Sequence, residues 1–333
     1  MNTMKAIVYN EYGTPDVLHM TEMAQPTPAD NEILVHVRAR SVNYGDLFAR
    51  KGIPLREFNM PNILWLPTKL TFGWRKPANP ILGSEFAGDV VALGTRVSEF
   101  KPGDKVFGYL AQNMGANAGY LTIAADGMVT HMPANLSYEE AAVVPYGALT
   151  ALTLLRNLNI QPGQKVLING ASGGIGTAAL QLAKYWGAEV TGVAGSQRLD
   201  YMRALGADHV IDYKREDFTQ GDETYDLIFD ILGKSTFKHA KRVLKPDGLY
   251  LRASFKMREV WQTLWTSTRG GKRAKVALSA EKPADLVQIR ELVESGALTA
   301  LVDRCFPMEA AAEAHRYAES GQKRGAIVIV TSG

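Results

Sequence analysis

The stretch Val166-Leu-Ile-Asn-Gly170-Ala-Ser-Gly173-Gly174-Ile-Gly176 limits the possible fold more than any other part of the chain. An apolar run of β-forming residues feeds a glycine-rich turn, and a helical pattern starts at once behind it. Glycine permits a tight turn and close backbone approach, while the helix N-terminus presents unpaired amides and the positive end of its dipole to a pyrophosphate. Set against the G-x-G-x-x-G fingerprint, the turn reads Ala171-x-Gly173-x-x-Gly176, with alanine in the first slot and Gly170 just ahead of it. Strand-like runs at 165–169, 189–193, 209–211, 225–229 and 248–251 alternate with helical patterns at 176–186, 198–205 and 234–244. This grammar predicts a parallel α/β sheet that binds a dinucleotide through Gly170, Ala171, Ser172, Gly173, Gly174, Ile175 and Gly176.

The second strand of the unit ends in Val193-Ala-Gly195-Ser196-Gln-Arg198. A site for an unphosphorylated ribose places Asp or Glu there, whereas these slots are neutral or basic and the nearest acid, Asp200, lies beyond the turn. Ser196 as donor and Arg198 as a bidentate cation therefore predict a 2′-phosphate, and with it NADPH rather than NADH.

The first 130 residues read differently, as short β-like stretches punctuated by Gly, Pro and Asn. Residues 32–42 alternate, with Ile33, Val35, Val37 and Ala39 on one face and Leu34, His36, Arg38 and Arg40 on the other, so His36 is expected in a plain surface role. Residues 51–80, with five prolines and the apolar group Ile63, Leu64, Trp65 and Leu66, read as a long irregular excursion that shapes access to a site. In the tail, helices are expected over 283–294 and 308–319. A final strand at 326–330 matches the grammar of the first half, which implies a return to it.

Charge and composition narrow the functional classes. Lys and Arg number 37 against 34 Asp and Glu, a net charge of +3 that draws the chain neither to nucleic acid nor to a membrane. The densest basic group, Arg269, Lys272, Arg273 and Lys275, lacks periodic aromatics and reads as a solvated loop. Cys305 stands alone, so no intrachain disulfide or multi-thiolate metal site forms. The start lacks the pattern of a signal peptide, and the apolar stretch 141–155 is broken by Pro145, Tyr146 and Gly147, so a cytoplasmic protein without a membrane span is expected.

Together with Val42-Asn43-Tyr44-Gly45-Asp46, Pro80-Ile-Leu-Gly83-Ser-Glu85, Lys101-Pro-Gly103-Asp104 and Leu205-Gly-Ala-Asp208, the turn makes the whole chain resemble a medium-chain dehydrogenase/reductase of the zinc-independent, quinone oxidoreductase-like branch. The resemblance implies an α/β Rossmann nucleotide-binding domain over 131–302 and a GroES-like β-rich domain over 1–130, completed by 303–333, with a nicotinamide cleft at their junction. It also implies a homodimer through the nucleotide-binding domains, for which 275–278 is a candidate interface strand and an ordinary internal strand the other reading. By motif position, Arg198 and Tyr213 match contacts to the 2′-phosphate, with Lys323 or Arg324 adding charge. Asn43, Tyr44 and Asp46 match the nicotinamide segment, and Tyr146 and Thr150 the helix start that approaches the cofactor. The zinc-dependent branch has a Cys near Asn43 and a His after Gly83; this chain has Ser84 and Glu85 there.

Without those ligands, the feasible chemistry is hydride delivery from NADPH to an already electrophilic carbon of a small hydrophobic enone or quinone, with Asn43, Tyr44 and Tyr146 as the catalytic candidates. Glu85 is expected to hold backbone together, and Asp230 reads equally as a ligand contact or a turn former. Two other readings stay open: an NADPH-dependent carbonyl or alcohol dehydrogenase, and an NADPH-binding regulatory or structural protein with little turnover.

Overall fold

The computed structural model describes residues 2–52, 62–268 and 270–331; Pro54, Pro61, Arg269 and the side chains of Ile63 and Leu64 lie outside the described residues. The chain divides into two compact units. Unit one takes residues 1–54, 67–146 and 282–333, and unit two takes 55–66 and 147–281.

Unit one contains β1 (Thr3–Val8), β2 (His19–Ala24), β3 (Glu32–Val42), β4 (Glu85–Leu93), β5 (Lys105–Tyr109), β6 (Tyr120–Ala124) and β7 (Val129–His131). β1 and β2 form an antiparallel pair. In the larger sheet β3 is central: Ile33, Val35, Val37 and Ala39 are fully buried, as the alternation requires. The opposite face is not simply polar. Leu34 and Arg40 are buried too, with Arg40 Nη1 donating to Thr331 Oγ1 (2.6 Å), and the half-buried His36 ring stacks on Tyr120 at 4.7 Å. The reason is coverage, because the helices Tyr138–Ala141 and Ala311–Glu319 pack against β3 in addition to the strands along its two edges.

Unit two contains β8 (Lys165–Asn169), β9 (Glu189–Ala194), β10 (His209–Asp212), β11 (Tyr225–Asp230), β12 (Leu244–Arg252) and β13 (Arg273–Val276). All pair in parallel, in the order β10-β9-β8-β11-β12-β13. The order reverses between β8 and β11, the switch point at which open α/β sheets bind ligands beyond their strand carboxyl ends. The chain then returns to unit one as β14 (Val302–Pro307), parallel to β15 (Ala326–Val330), which pairs antiparallel with β3 from Ile327 opposite Val42 to Val330 opposite Ala39.

Packing puts residues 131–146 and 282–302, which the resemblance assigns to the nucleotide-binding domain, into unit one. The helix Pro283–Glu294 lies on β7, and Asn135 Nδ2 donates to the Val293 carbonyl (3.0 Å). The proline-rich excursion is not wholly irregular: a helix runs over Asn62–Phe72 with Pro67 inside it, at the loss of one backbone hydrogen bond. The run 138–158 has the length and apolarity of a membrane span, but 61% of that window is buried within the protein.

A further helix, Met257–Ser267, lies along β13 at the sheet edge. Thr266 Oγ1 accepts the Ala274 amide and Thr263 Oγ1 the Val276 amide, both at 3.1 Å. Strand addition at this edge, one expectation for 275–278, thus meets donors at Ala274 and Val276 that are already bonded.

Asp230 proves to be a turn former with a large load. Its fully buried carboxylate accepts from Tyr250 Oη (2.7 Å), Asn169 Nδ2 (2.9 Å), and the amides of Gly233 (3.0 Å) and Ser235 (3.1 Å). Asp230→Ala strands four donors at once and is expected to destabilise unit two by about 3 kcal/mol or more, read as a lowered midpoint in urea. An unchanged midpoint would refute this role.

Candidate active site

In unit one the site is built around the start of the helix Tyr44–Arg50. Asn43 caps this helix: its Oδ1 accepts from the amides of Gly45 (2.8 Å) and Asp46 (3.3 Å), and its own amide donates to Asp46 Oδ2 (3.0 Å), a capping box. Asp46 Oδ1 reaches across to the amide of Gly83 (3.0 Å) and so ties the segment before β4 to the helix. Asn43 Nδ2 donates to Ser84 Oγ (2.7 Å) and to Glu85 Oε1 (3.2 Å). Ser41 Oγ also donates to Glu85 Oε1, and the Tyr146 amide to Oε2 (2.7 Å).

Both carboxylates are buried, and desolvation pushes each of them up to about 7 against the pull of the hydrogen bonds they accept. Asn43 spends its amide on this scaffold. Tyr44, by contrast, is 57% exposed, with its ring 5.5 Å from that of Phe48, and the Tyr146 ring stands 6.3 Å from Tyr109. Among the described residues no group of three or more His, Cys, Asp or Glu is arranged to hold a metal.

In unit two the glycine turn follows β8. Gly170 has φ +94°, which a side chain rarely adopts, and a Cβ on Gly176 would lie 2.2 Å from the Gly170 carbonyl oxygen. A Cβ on Gly174 would meet nothing within 4 Å, so the side of the helix start that Gly174 presents stands clear for a ligand. The turn therefore fits a pyrophosphate. Gly147 packs directly against Gly174 and Ile175, and Thr150 follows one turn later on the same helix, Pro145–Leu155. Ala171 is buried, while Ser172 and Ile175 are partly exposed.

At the end of β9, Arg198 Nη1 donates to Ser172 Oγ (3.3 Å), which brings the expected cation onto the turn. The exposed Tyr213 ring flanks Gly195. Ser196 donates to Asp212, whose carboxyl is held below its ordinary range mainly by that hydrogen bond. Sequence reasoning missed Asp212 because it searched only the end of β9; the acid closes β10, the neighbouring strand. Lys323 lies before β15, in unit one with Asn43, Tyr44 and Tyr146.

Two family models match the chain, an alcohol dehydrogenase GroES-like domain over residues 29–153 and a zinc-binding dehydrogenase over 205–329. The human mitochondrial NAD(P)H oxidoreductase RTN4IP1 is 32% identical, over 98% of this chain and 89% of its own length. The structure of the quinone oxidoreductase from Coxiella burnetii has a TM-score of 0.84 at 28% identity, covering 99% of this chain and all of that one. The CurK enoyl reductase has a TM-score of 0.83 at 26% identity, covering both chains fully. RTN4IP1 of Bos taurus, Mus musculus and Danio rerio is likewise mitochondrial by name, and these relatives overturn the cytoplasmic expectation. That expectation rested on a missing secretory pattern and a broken apolar stretch, and neither separates the cytoplasm from an organelle reached by another route.

The elevated carboxyls have a measurable consequence. Glu85 rises from 4.5 to about 7 on folding, so its contribution to stability is present at low pH and is lost as pH climbs through about 7. We expect the wild type to lose about 1–3 kcal/mol between pH 5 and 8, and Glu85→Gln to flatten that fall in urea titrations, leaving the part due to Asp46. A fall of the same size in Glu85→Gln would refute the assignment.

Where the metal-dependent branch has its ligands, this chain carries Asn43, Ser84 and a Glu85 carboxylate engaged by three donors. Both family models match in order, and the likeness to quinone and enoyl reductases runs the full length. The chain belongs to the medium-chain dehydrogenase/reductase superfamily, in its zinc-independent quinone-oxidoreductase-like branch, and is an NAD(P)H-dependent oxidoreductase.

Proposed function

We propose that this enzyme reduces quinones or the C=C bond of small hydrophobic α,β-unsaturated carbonyls, with NADPH as the preferred donor. The observation that carries the reading is the hydrogen-bonded set Asn43–Ser84–Glu85, which is spent on holding the backbone and offers no ligand set for a metal that would polarise an alcohol oxygen. The acceptor must then be electrophilic already. Bound NADPH supplies the hydride; the protein supplies alignment and donors for the charge that develops on oxygen.

In this reading Asn43 is a positioning residue, fixing the start of the helix that carries Tyr44. The exposed Tyr44 hydroxyl donates to the substrate oxygen as an enolate or hydroquinone forms, with Tyr146 as the second donor. The amides at Gly174 and Ile175 hold the pyrophosphate, with Thr150 from the helix packed on the turn. Arg198 takes the 2′-phosphate, flanked by Tyr213, and Ser196 joins it by releasing Asp212.

Arg198→Ala is expected to raise the KM for NADPH by roughly 10- to 100-fold while leaving that for NADH nearly unchanged. Equal effects on both would remove Arg198 from the 2′-phosphate. Supplied with an α,β-unsaturated ketone and a chelator, the enzyme should yield the saturated ketone, and Tyr44→Phe should lower kcat/KM about tenfold. An allylic alcohol as product, or turnover lost to the chelator, would overturn the proposal in favour of carbonyl reduction.

A further inference from the structure

The helix Met257–Ser267 is amphipathic in the reverse sense. Glu259, Thr263 and Thr266 face the body of unit two, where the threonines bond β13 and Glu259 pairs with the buried Arg252 (3.1 Å). Met257, Trp261, Leu264 and Trp265, spaced i, i+4, i+7 and i+8, form a stripe on the outer side, with Trp261 66% and Trp265 57% exposed. Two tryptophans beside leucine and methionine make an apolar surface that a water-facing helix has no use for.

The segment that carries the stripe is basic. From Lys234 to Lys275 the chain has twelve of its 37 Lys and Arg and two of its 34 Asp and Glu; the buried Glu259 pairs with Arg252 and Arg258, and Lys245 pairs with Asp226. Lys241, Arg242, Arg258, Arg273 and Lys275 are all exposed. At the C-terminal end of the helix a cavity of about 420 Å³ is lined by Lys241, Arg242 and Lys272 together with Phe237 and Trp265. Lys272 Nζ donates to the Lys241 carbonyl (2.8 Å), which holds two of these cations at one rim.

We infer that this face of unit two docks on an anionic lipid bilayer, the tryptophan stripe entering the interface and the basic rim meeting phosphate headgroups. Tryptophan beside aliphatic side chains gains free energy at the headgroup boundary, and clustered Lys and Arg gain it from the surface potential of anionic lipid. Nucleic acid would match the cations and the indoles, but Met257 and Leu264 have nothing to gain from stacking on bases. A second copy of the chain would bring one basic rim against another.

The test is co-sedimentation of the full chain with phosphatidylcholine vesicles, with and without phosphatidylglycerol, alongside tryptophan emission. Binding should require the anionic lipid, fade as salt is raised, and shift the emission to the blue. The triple variant Trp261→Ser, Leu264→Ser, Trp265→Ser should partition roughly tenfold more weakly or worse while reducing a water-soluble quinone as the wild type does. The pair Lys241→Glu, Lys275→Glu, which leaves the stripe intact, should also release the protein. Failure to bind anionic vesicles at low salt would overturn the inference, as would undiminished binding by the triple variant. So would a wild-type dimer that the triple variant dissociates without any lipid binding, or binding of single-stranded DNA in preference to vesicles.

Discussion

The Asp46 carboxylate is the group on which the geometry of unit one's site depends. Each of its oxygens holds a backbone amide from a different segment, Asn43 at the helix start and Gly83 ahead of β4, so one buried acid fixes the relative position of both. Asn43, placed by that bond, turns its amide toward Ser84 and Glu85, and Glu85 in turn takes the Tyr146 amide. Burying two carboxyls is costly, and the backbone and hydroxyl donors gathered round them offset that cost. A rigid polar frame is the result, and the tyrosines hang from it.

Legibility in the sequence followed the range of the interactions. β8 through β10 and the glycine turn could be read because each is a local pattern, a short β-forming run ending at Asn169, Ala194 and Asp212 in turn. The last strand could be read for the same reason, its Ile and Val run matching a β-rich sheet. The helix Asn62–Phe72 was hidden by Pro67, a residue that usually ends helices, and Met257–Ser267 by threonines and serine in place of an inward apolar face.

The site divides in the same way. The turn, Arg198, Asn43 and Tyr44 sit in contiguous motifs and were visible at once. Ser41 on Glu85 and Asp212 on Ser196 were not, because strand adjacency in the sheet makes those pairs and the chain separates them by 44 and 16 residues. Where family motifs set an expectation, as for zinc, the residue types sufficed to reject it. How Ser84 and Glu85 are used instead required the fold.

Thr263 and Thr266 also act as guards. The amides of Ala274 and Val276 that they occupy face outward from a parallel sheet, the kind of open ladder on which strands of other molecules can add. Valine would fit the same volume and raise helix amphipathicity not at all, yet it would hand two unsatisfied donors to whatever strand arrives first. The usual division of labour along a surface helix is therefore reversed, with hydroxyls turned inward to hold the sheet edge and apolar side chains turned outward.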